Sequence, residues 1–139
     1  MRVPAKSVFD SWAILAYLQK EEPAAARVKA ILKAAERHKN PVFASLINVG
    51  EVFYIIGRRR GEKTADETLE ELDHLPIKIV APEPQTVIRA ARLKMHHAIS
   101  YADAFAVVLA QDYGAVLLTG DPELLKLGDV VSLEVLKRP

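Results

Sequence analysis

Ala115-Val116-Leu117-Leu118-Thr119-Gly120-Asp121-Pro122 reads as a short apolar strand, Ala115 to Leu118, that runs within three residues into an acid. Consecutive apolar residues without polar alternation describe a strand covered on both faces. The same grammar stands near the start of the chain, where Ser7-Val8-Phe9 is followed at once by Asp10. Val42-Phe43-Ala44 follows the break at Asn40-Pro41, and Ile77 to Val80 lies between Pro76 and Pro82. Val130 to Leu136 supplies a closing edge strand. Helical spacing fills the intervals. Trp12 to Gln19 is one helix, and Pro23 opens a second that runs to about His38. Ser45 caps a third that continues to about Arg59 and stops at Gly61. Glu62 to His74 is charged and amphipathic, Pro84 to His96 follows, Ser100 starts another that ends at Gly114, and Asp121-Pro122 opens a last short one. Strands alternating with helices predict an α/β fold of three layers, α/β/α, with a mainly parallel sheet of 4-5 short strands flanked by about seven helices. Ligands bind such sheets at the carboxyl ends of the strands. Asp10 and Asp121 therefore belong on one rim.

Composition narrows the function classes. A chain of 139 residues suits a single domain, 1–139. Half its residues are hydrophobic and only 6% aromatic, so the core is built from Ala, Val, Ile and Leu. The absence of cysteine excludes thiolate metal sites, disulfide frameworks and cysteine nucleophiles. With 19 basic and 18 acidic residues the net charge is +1, so any argument for nucleic acid must be local. No segment approaches the run of about 20 apolar residues needed to span a membrane. Met1 to Lys6 carry two positive charges before the apolar stretch Val8 to Leu18, but Asp10 and Ser11 interrupt that stretch and no small-residue cleavage site follows. It reads as a strand entering a helix rather than a signal peptide, which points to the cytoplasm.

Four acids stand out once simpler explanations are weighed. Asp10 precedes a helix and could be its cap; Asp121 precedes Pro122 and could be another; Asp103 lies three residues after Ser100 in a capping-box pattern. Caps accept Ser, Thr or Asn about as well as Asp, so capping does not ask for acids at several ends of one rim. Glu51 lies mid-helix, where capping explains nothing, among Ile47, Asn48, Val49, Val52, Phe53, Tyr54, Ile55 and Ile56. Asp103 is the only charge between His97 and Asp112, in an otherwise apolar helix. Buried carboxylates are rare unless paired or bound to a cation. Two unit charges about 4 Å apart repel by roughly 4 kcal/mol at an effective dielectric of about 20. If the four converge, either some stay protonated or a cation neutralises them. Oxygen-only donors select a hard ion, Mg2+ or Mn2+, which activates water and stabilises charge on a phosphodiester.

The segments Phe9-Asp10-Ser11, Asn48-Val49-Gly50-Glu51-Val52, Ser100-Tyr101-Ala102-Asp103-Ala104-Phe105-Ala106 and Leu118-Thr119-Gly120-Asp121, in this order, resemble a PIN domain. More narrowly they resemble the VapC toxins of prokaryotic toxin–antitoxin pairs. The resemblance covers nearly the whole chain. It implies a PIN-like fold and a metal-dependent endoribonuclease of the prokaryotic cytoplasm, using Mg2+ or Mn2+ against RNA. Asp10 and Asp103 would be direct metal ligands. Glu51 would contact the metal or its water and orient the nucleophile, and Asp121 would complete the pocket through water or a second metal. Ser11, Asn48 and Thr119 would orient carboxylates or touch the scissile phosphate. Family members usually dimerise and are inhibited by a small VapB-like antitoxin whose tail lies over the pocket. Many relatives carry an aromatic soon after the last acid, where this chain has Pro122.

Other features read more plainly. Arg58-Arg59-Arg60 end the helix that carries Glu51, which suits the helix C-terminus and, less directly, RNA phosphates. Arg89, Arg92, Lys94, His96 and His97 form a second basic cluster; the adjacent histidines lack the spacing of paired metal ligands and suit a surface or RNA-side role. Trp12, Tyr17 and Tyr54 read as core, and Leu69 and Leu72 of the charged helix could join an antitoxin or dimer surface. Two rival functions remain. One is a non-catalytic RNA- or protein-binding module on the same fold. The other is an α/β phosphoryl-transfer protein, disfavoured because only Asp10 follows the first strand and Trp12 replaces the second acid of Asp-x-Asp.

Overall fold

The computed structural model describes residues 2–37 and 39–139. Five parallel strands form one sheet: β1 (Ser7–Phe9), β2 (Val42–Ser45), β3 (Ile77–Val80), β4 (Val116–Thr119) and β5 (Leu133–Val135). Six α-helices cover it: α1 (Ser11–Leu18), α2 (Ala24–Glu36), α3 (Leu46–Arg60), α4 (Glu62–Asp73), α5 (Pro84–His96) and α6 (Tyr101–Tyr113). A 3-10 turn spans Leu124–Leu127. The expected end of the second helix, about His38, lies outside the described residues.

The strands are buried on alternate faces by the two-residue period of the pleat. Phe9, Val42, Ala44 and Leu118 face one core, where Ile14, Val28, Ile31, Val52, Ile56 and Leu72 come from α1 to α4. Val8, Phe43 and Leu117 face the other, with Ala90 of α5, Phe105 and Val108 of α6, and Leu124 and Leu127. Each such Val, Leu or Phe contributes about 1.5–3 kcal/mol by leaving water. Helix α6 is buried without a break from Asp103 to Ala110, so its acid begins the most enclosed stretch of helix in the fold.

The strand order β3-β2-β1-β4-β5 decides where chemistry can sit. From β1 the chain builds outward through β2 to β3, then crosses back to β4 on the other side of β1 and on to β5. Crossovers of one hand running in opposite directions place their helices on opposite faces, as the two cores show. The reversal falls between β1 and β4, and a crevice opens at the carboxyl ends of strands at such a switch point. Phe9 pairs with Leu118. Asp10 therefore leaves the sheet beside Thr119, with Gly120 and Asp121 next.

Two expectations change. Asp121-Pro122 opens a single 3-10 turn rather than an α-helix: Asp121 Oδ1 accepts from the Glu123 N–H at 2.9 Å, the Asp121 carbonyl accepts from the Leu124 N–H at 3.1 Å and the Leu125 N–H at 3.3 Å, and the turn spans Leu124–Leu127. Leu72 is not available to a partner, because it is 2% exposed and belongs to the core that α1 to α4 form, whereas Leu69 is half-buried.

Candidate metal centre

Asp10 caps α1, its Oδ1 accepting from the Ala13 N–H at 2.8 Å. Capping uses one oxygen only. The residue is buried and Oδ2 has no hydrogen-bond partner. Asp103 sits in the first turn of α6, its N–H donating to Ser100 Oγ at 3.1 Å. Asp121 is held by its own N–H donating to Thr119 Oγ1 at 3.0 Å. Glu51, half-buried on α3, lines with Asp103, Asp121, Trp12 and Ser100 a cleft of about 290 Å3. Asp10 lies behind that cleft, close enough for the charges of Asp121 and Glu51 to act on it.

Burial raises both enclosed acids. Desolvation pushes the Asp10 carboxyl up to about 7, with the negative charges of Asp121 and Glu51 adding to it and the Thr119 hydroxyl and Ala13 N–H opposing. Desolvation, then the charge and hydrogen bonding of Asp121 and the charge of Asp10, push Asp103 up to about 8. Two carboxyl groups poised near neutrality, one with an orphaned buried oxygen, fit a hard divalent cation that would repay their desolvation. The donor set is entirely oxygen, which suits Mg2+ or Mn2+ better than zinc.

The tightest acidic group holds a residue that sequence reasoning missed. Asp103, Asp121 and Glu123 each bring a carboxylate oxygen within 4.8 Å of the others. Glu51 stands outside that group yet shares the cleft, and Asp10 joins through its charge coupling. A turn closed by the Asp121 side chain returns Glu123, two positions on, to the same side, but in the sequence Asp121-Pro122 reads simply as a helix start.

The supporting polar residues tie the helices together. Asn48 is fully buried, and its Nδ2 donates to Ser11 Oγ at 3.1 Å and to the Ala102 carbonyl at 3.2 Å. Ser11 Oγ donates to the Asn48 carbonyl at 3.2 Å. This link joins α1, α3 and α6, the helices carrying or following Asp10, Glu51 and Asp103. Asn48 is too buried to reach a phosphate. Trp12 forms a wall of the cleft, and a Cβ at Gly120 would lie 2.5 Å from its ring, so only glycine lets the indole and the last acid come together.

The basic residues divide. Lys94 Nζ donates to the Ile99 carbonyl at 2.8 Å and so holds the loop before Ser100. Arg89 pairs with Asp112. Arg58 lies over the Tyr54 ring, 5.4 Å from its centroid, while Arg59, Arg60, Arg92 and His96 are exposed and His97 half-buried. Tyr54 is 49% exposed, which corrects its reading as core; Trp12 and Tyr17 are half-buried.

Residues 7–130 match the family model for the PIN domain. The chain belongs to the PIN domain family. Solved structures share the fold of this PIN domain. VapBC2 of Rickettsia felis, bound to a DNA fragment from its promoter, superposes with a TM-score of 0.72 at 13% identity, over 95% of this chain and 99% of that one. VapC20 of Mycobacterium tuberculosis, a toxin that cleaves the sarcin-ricin loop, gives 0.71 at 17%, over 96% and 99%. DNA-bound VapBC of Salmonella typhimurium gives 0.71 at 14%, over 95% and 98%. At these identities the likeness is one of fold. No curated protein sequence matches the chain.

Proposed function

We propose that this PIN domain, one domain over 1–139, is a metal-dependent endoribonuclease and the toxin of a VapC-type toxin–antitoxin pair in a prokaryotic cytoplasm. One observation carries the reading. Buried Asp103 meets Asp121 at the switch point of the sheet, and buried Asp10, with one carboxylate oxygen lacking a well-formed hydrogen bond, lies near enough for its charge to act on Asp103. Among the described residues no helix is long and apolar enough to cross a membrane.

Asp10, Asp103 and Asp121 would hold the cation, with Glu51 and Glu123 at its edge. A bound Mg2+ or Mn2+ supplies Lewis acidity, which activates a water and neutralises charge on the phosphodiester. The chain's own residues do the rest. Glu51, half-buried at the cleft, accepts the proton of the attacking water. Ser100 and the first turn of α6 present N–H groups to the scissile phosphate. Trp12 closes one side against bulk water. The buried Asp10, with one oxygen engaged in its cap, is a poor phosphoryl acceptor, so a phosphoryl-transfer protein is the weaker reading. The fold shared with toxin–antitoxin complexes supports a homodimer held silent by a VapB-like antitoxin.

The test is cleavage of a mixed single-stranded RNA pool. Cleavage is expected with Mg2+ or Mn2+, is abolished by EDTA, and falls at least about 100-fold in Asp103→Asn. Equal rates with and without metal across varied substrates would leave a non-catalytic binding module. Co-expression with the adjacent reading frame is expected to yield a complex with a small protein and no cleavage.

A further inference from the structure

We infer that Arg138 binds a backbone phosphate of the nucleic-acid strand, beside the phosphate that is cut; this rests on the nuclease reading above. Arg138 follows β5 and is exposed, yet two contacts fix its guanidinium. Nη2 donates to the Gly120 carbonyl at 3.2 Å, and the group lies over the Trp12 ring, 5.7 Å from its centroid. Gly120 is the residue before Asp121, and Trp12 is a wall of the acidic cleft. The indole packs directly against Gly120, with no room between them for a side chain. The charge is therefore placed at the edge of the centre by a hydrogen bond and an aromatic face.

What the guanidinium does not do is as telling. The ion pairs among the described residues are Arg27 with Glu134 and Arg89 with Asp112. Arg138 joins neither, nor any acid of the cleft next to it. One of its five N–H donors is used, which leaves a fork of the shape that takes phosphate in two parallel hydrogen bonds. The surroundings call for such a group. Asp10, Glu51, Asp103, Asp121 and Glu123 crowd one rim, and a divalent ion offsets only two of those charges. A polyanion crossing that rim meets net repulsion unless a fixed cation receives the phosphates on either side of the reacting one. A tail merely pinned to the sheet needs the bond to Gly120 but not a charge.

The experiment separates charge from pinning. Binding of a labelled, mixed-sequence, short single-stranded RNA is measured by anisotropy over a range of KCl in an Asp103→Asn background, where the strand stays intact. Arg138→Gln keeps a donor for the Gly120 carbonyl. It is expected to weaken binding about 5-fold at about 0.1 M salt and to lower the slope of log affinity against log salt by about 0.7, the signature of one lost phosphate contact on a single strand. Arg138→Lys restores the slope while recovering only part of the affinity. Lys33→Gln, which removes an exposed charge from the last turn of α2, leaves both unchanged. In the otherwise native chain Arg138→Gln raises KM with kcat held. Metal-dependent cleavage by the native chain, together with an unchanged slope in Arg138→Gln or equal slopes for the Gln and Lys variants, overturns the assignment and leaves the nuclease reading standing. A native chain that neither binds nor cuts RNA overturns both.

Discussion

The two oxygens of Asp10 meet different surroundings: Oδ1 is engaged by the Ala13 N–H, and Oδ2 is buried without a well-formed hydrogen bond, with the Thr119 hydroxyl near enough to favour its charge. Desolvation holds this carboxyl near pH 7 and that of Asp103 near pH 8, against an unfolded value of 3.8 for each. The folded metal-free chain therefore binds more protons than the unfolded chain between about pH 4 and pH 8. The stability that these protonated acids contribute is complete below the unfolded value and is lost as pH rises through 7 and 8. Thermal melts in EDTA should show Tm falling from pH 5 to pH 8 more steeply in the native chain than in Asp103→Asn, with Mg2+ removing the difference. Parallel slopes would contradict the linkage. Asp10→Asn keeps an oxygen for the cap and loses the charge, so it is expected to raise Tm at pH 8 in EDTA while blunting the metal response. Glu123, exposed at the edge of the trio, should matter less: Glu123→Gln is expected to weaken Mn2+ binding several-fold, and Asp103→Asn by ten- to a hundred-fold, by calorimetry.

Each element delivers its acid because a neighbour constrains it. Asn48 fastens α3 to α1 and α6, and Gly120 lets Trp12 lie against the end of β4. Gly120→Ala places a methyl 2.5 Å from the indole, so about 1–3 kcal/mol of stability should be lost, with Mn2+ affinity falling as Asp121 shifts. Urea denaturation and metal titration on the same variant check both parts; an unaltered Mn2+ affinity would show that Trp12 does not position the last acid. The strands were legible because parallel, doubly covered strands are short apolar runs, and Ser7–Phe9 and Ile77–Val80 fall on the expected residues. Caps were legible for the same local reason: Ser45 and Ser100 both accept from the helices they precede. Glu123 was not, because its place depends on a side-chain turn at Asp121 that mimics a helix start in sequence. Nor was the exposure of Tyr54, which follows from which face of α3 turns to the core. Lys94 reads as a free charge in the sequence, whereas the loop brings the Ile99 carbonyl within 2.8 Å of its Nζ and gives it a structural bond that charge alone does not reveal.

At the scale of the whole molecule, a net charge of +1 conceals a concentrated acidic rim. The strand order β3-β2-β1-β4-β5 brings residues 10 and 121 together across more than a hundred positions of sequence. Convergence at the reversal point costs desolvation and repulsion, which a bound cation would offset. Calorimetric titration of Mn2+ into the native chain at pH 6.5, repeated in buffers of different ionisation enthalpy, tests this directly. Asp10 and Asp103, poised near pH 7 and 8, must give up protons to become ligands, so binding is expected to release roughly one to two protons per ion, with the release and affinity reduced in Asp103→Asn. No binding heat, or binding that releases no protons and is indifferent to Asp103→Asn, would contradict the account.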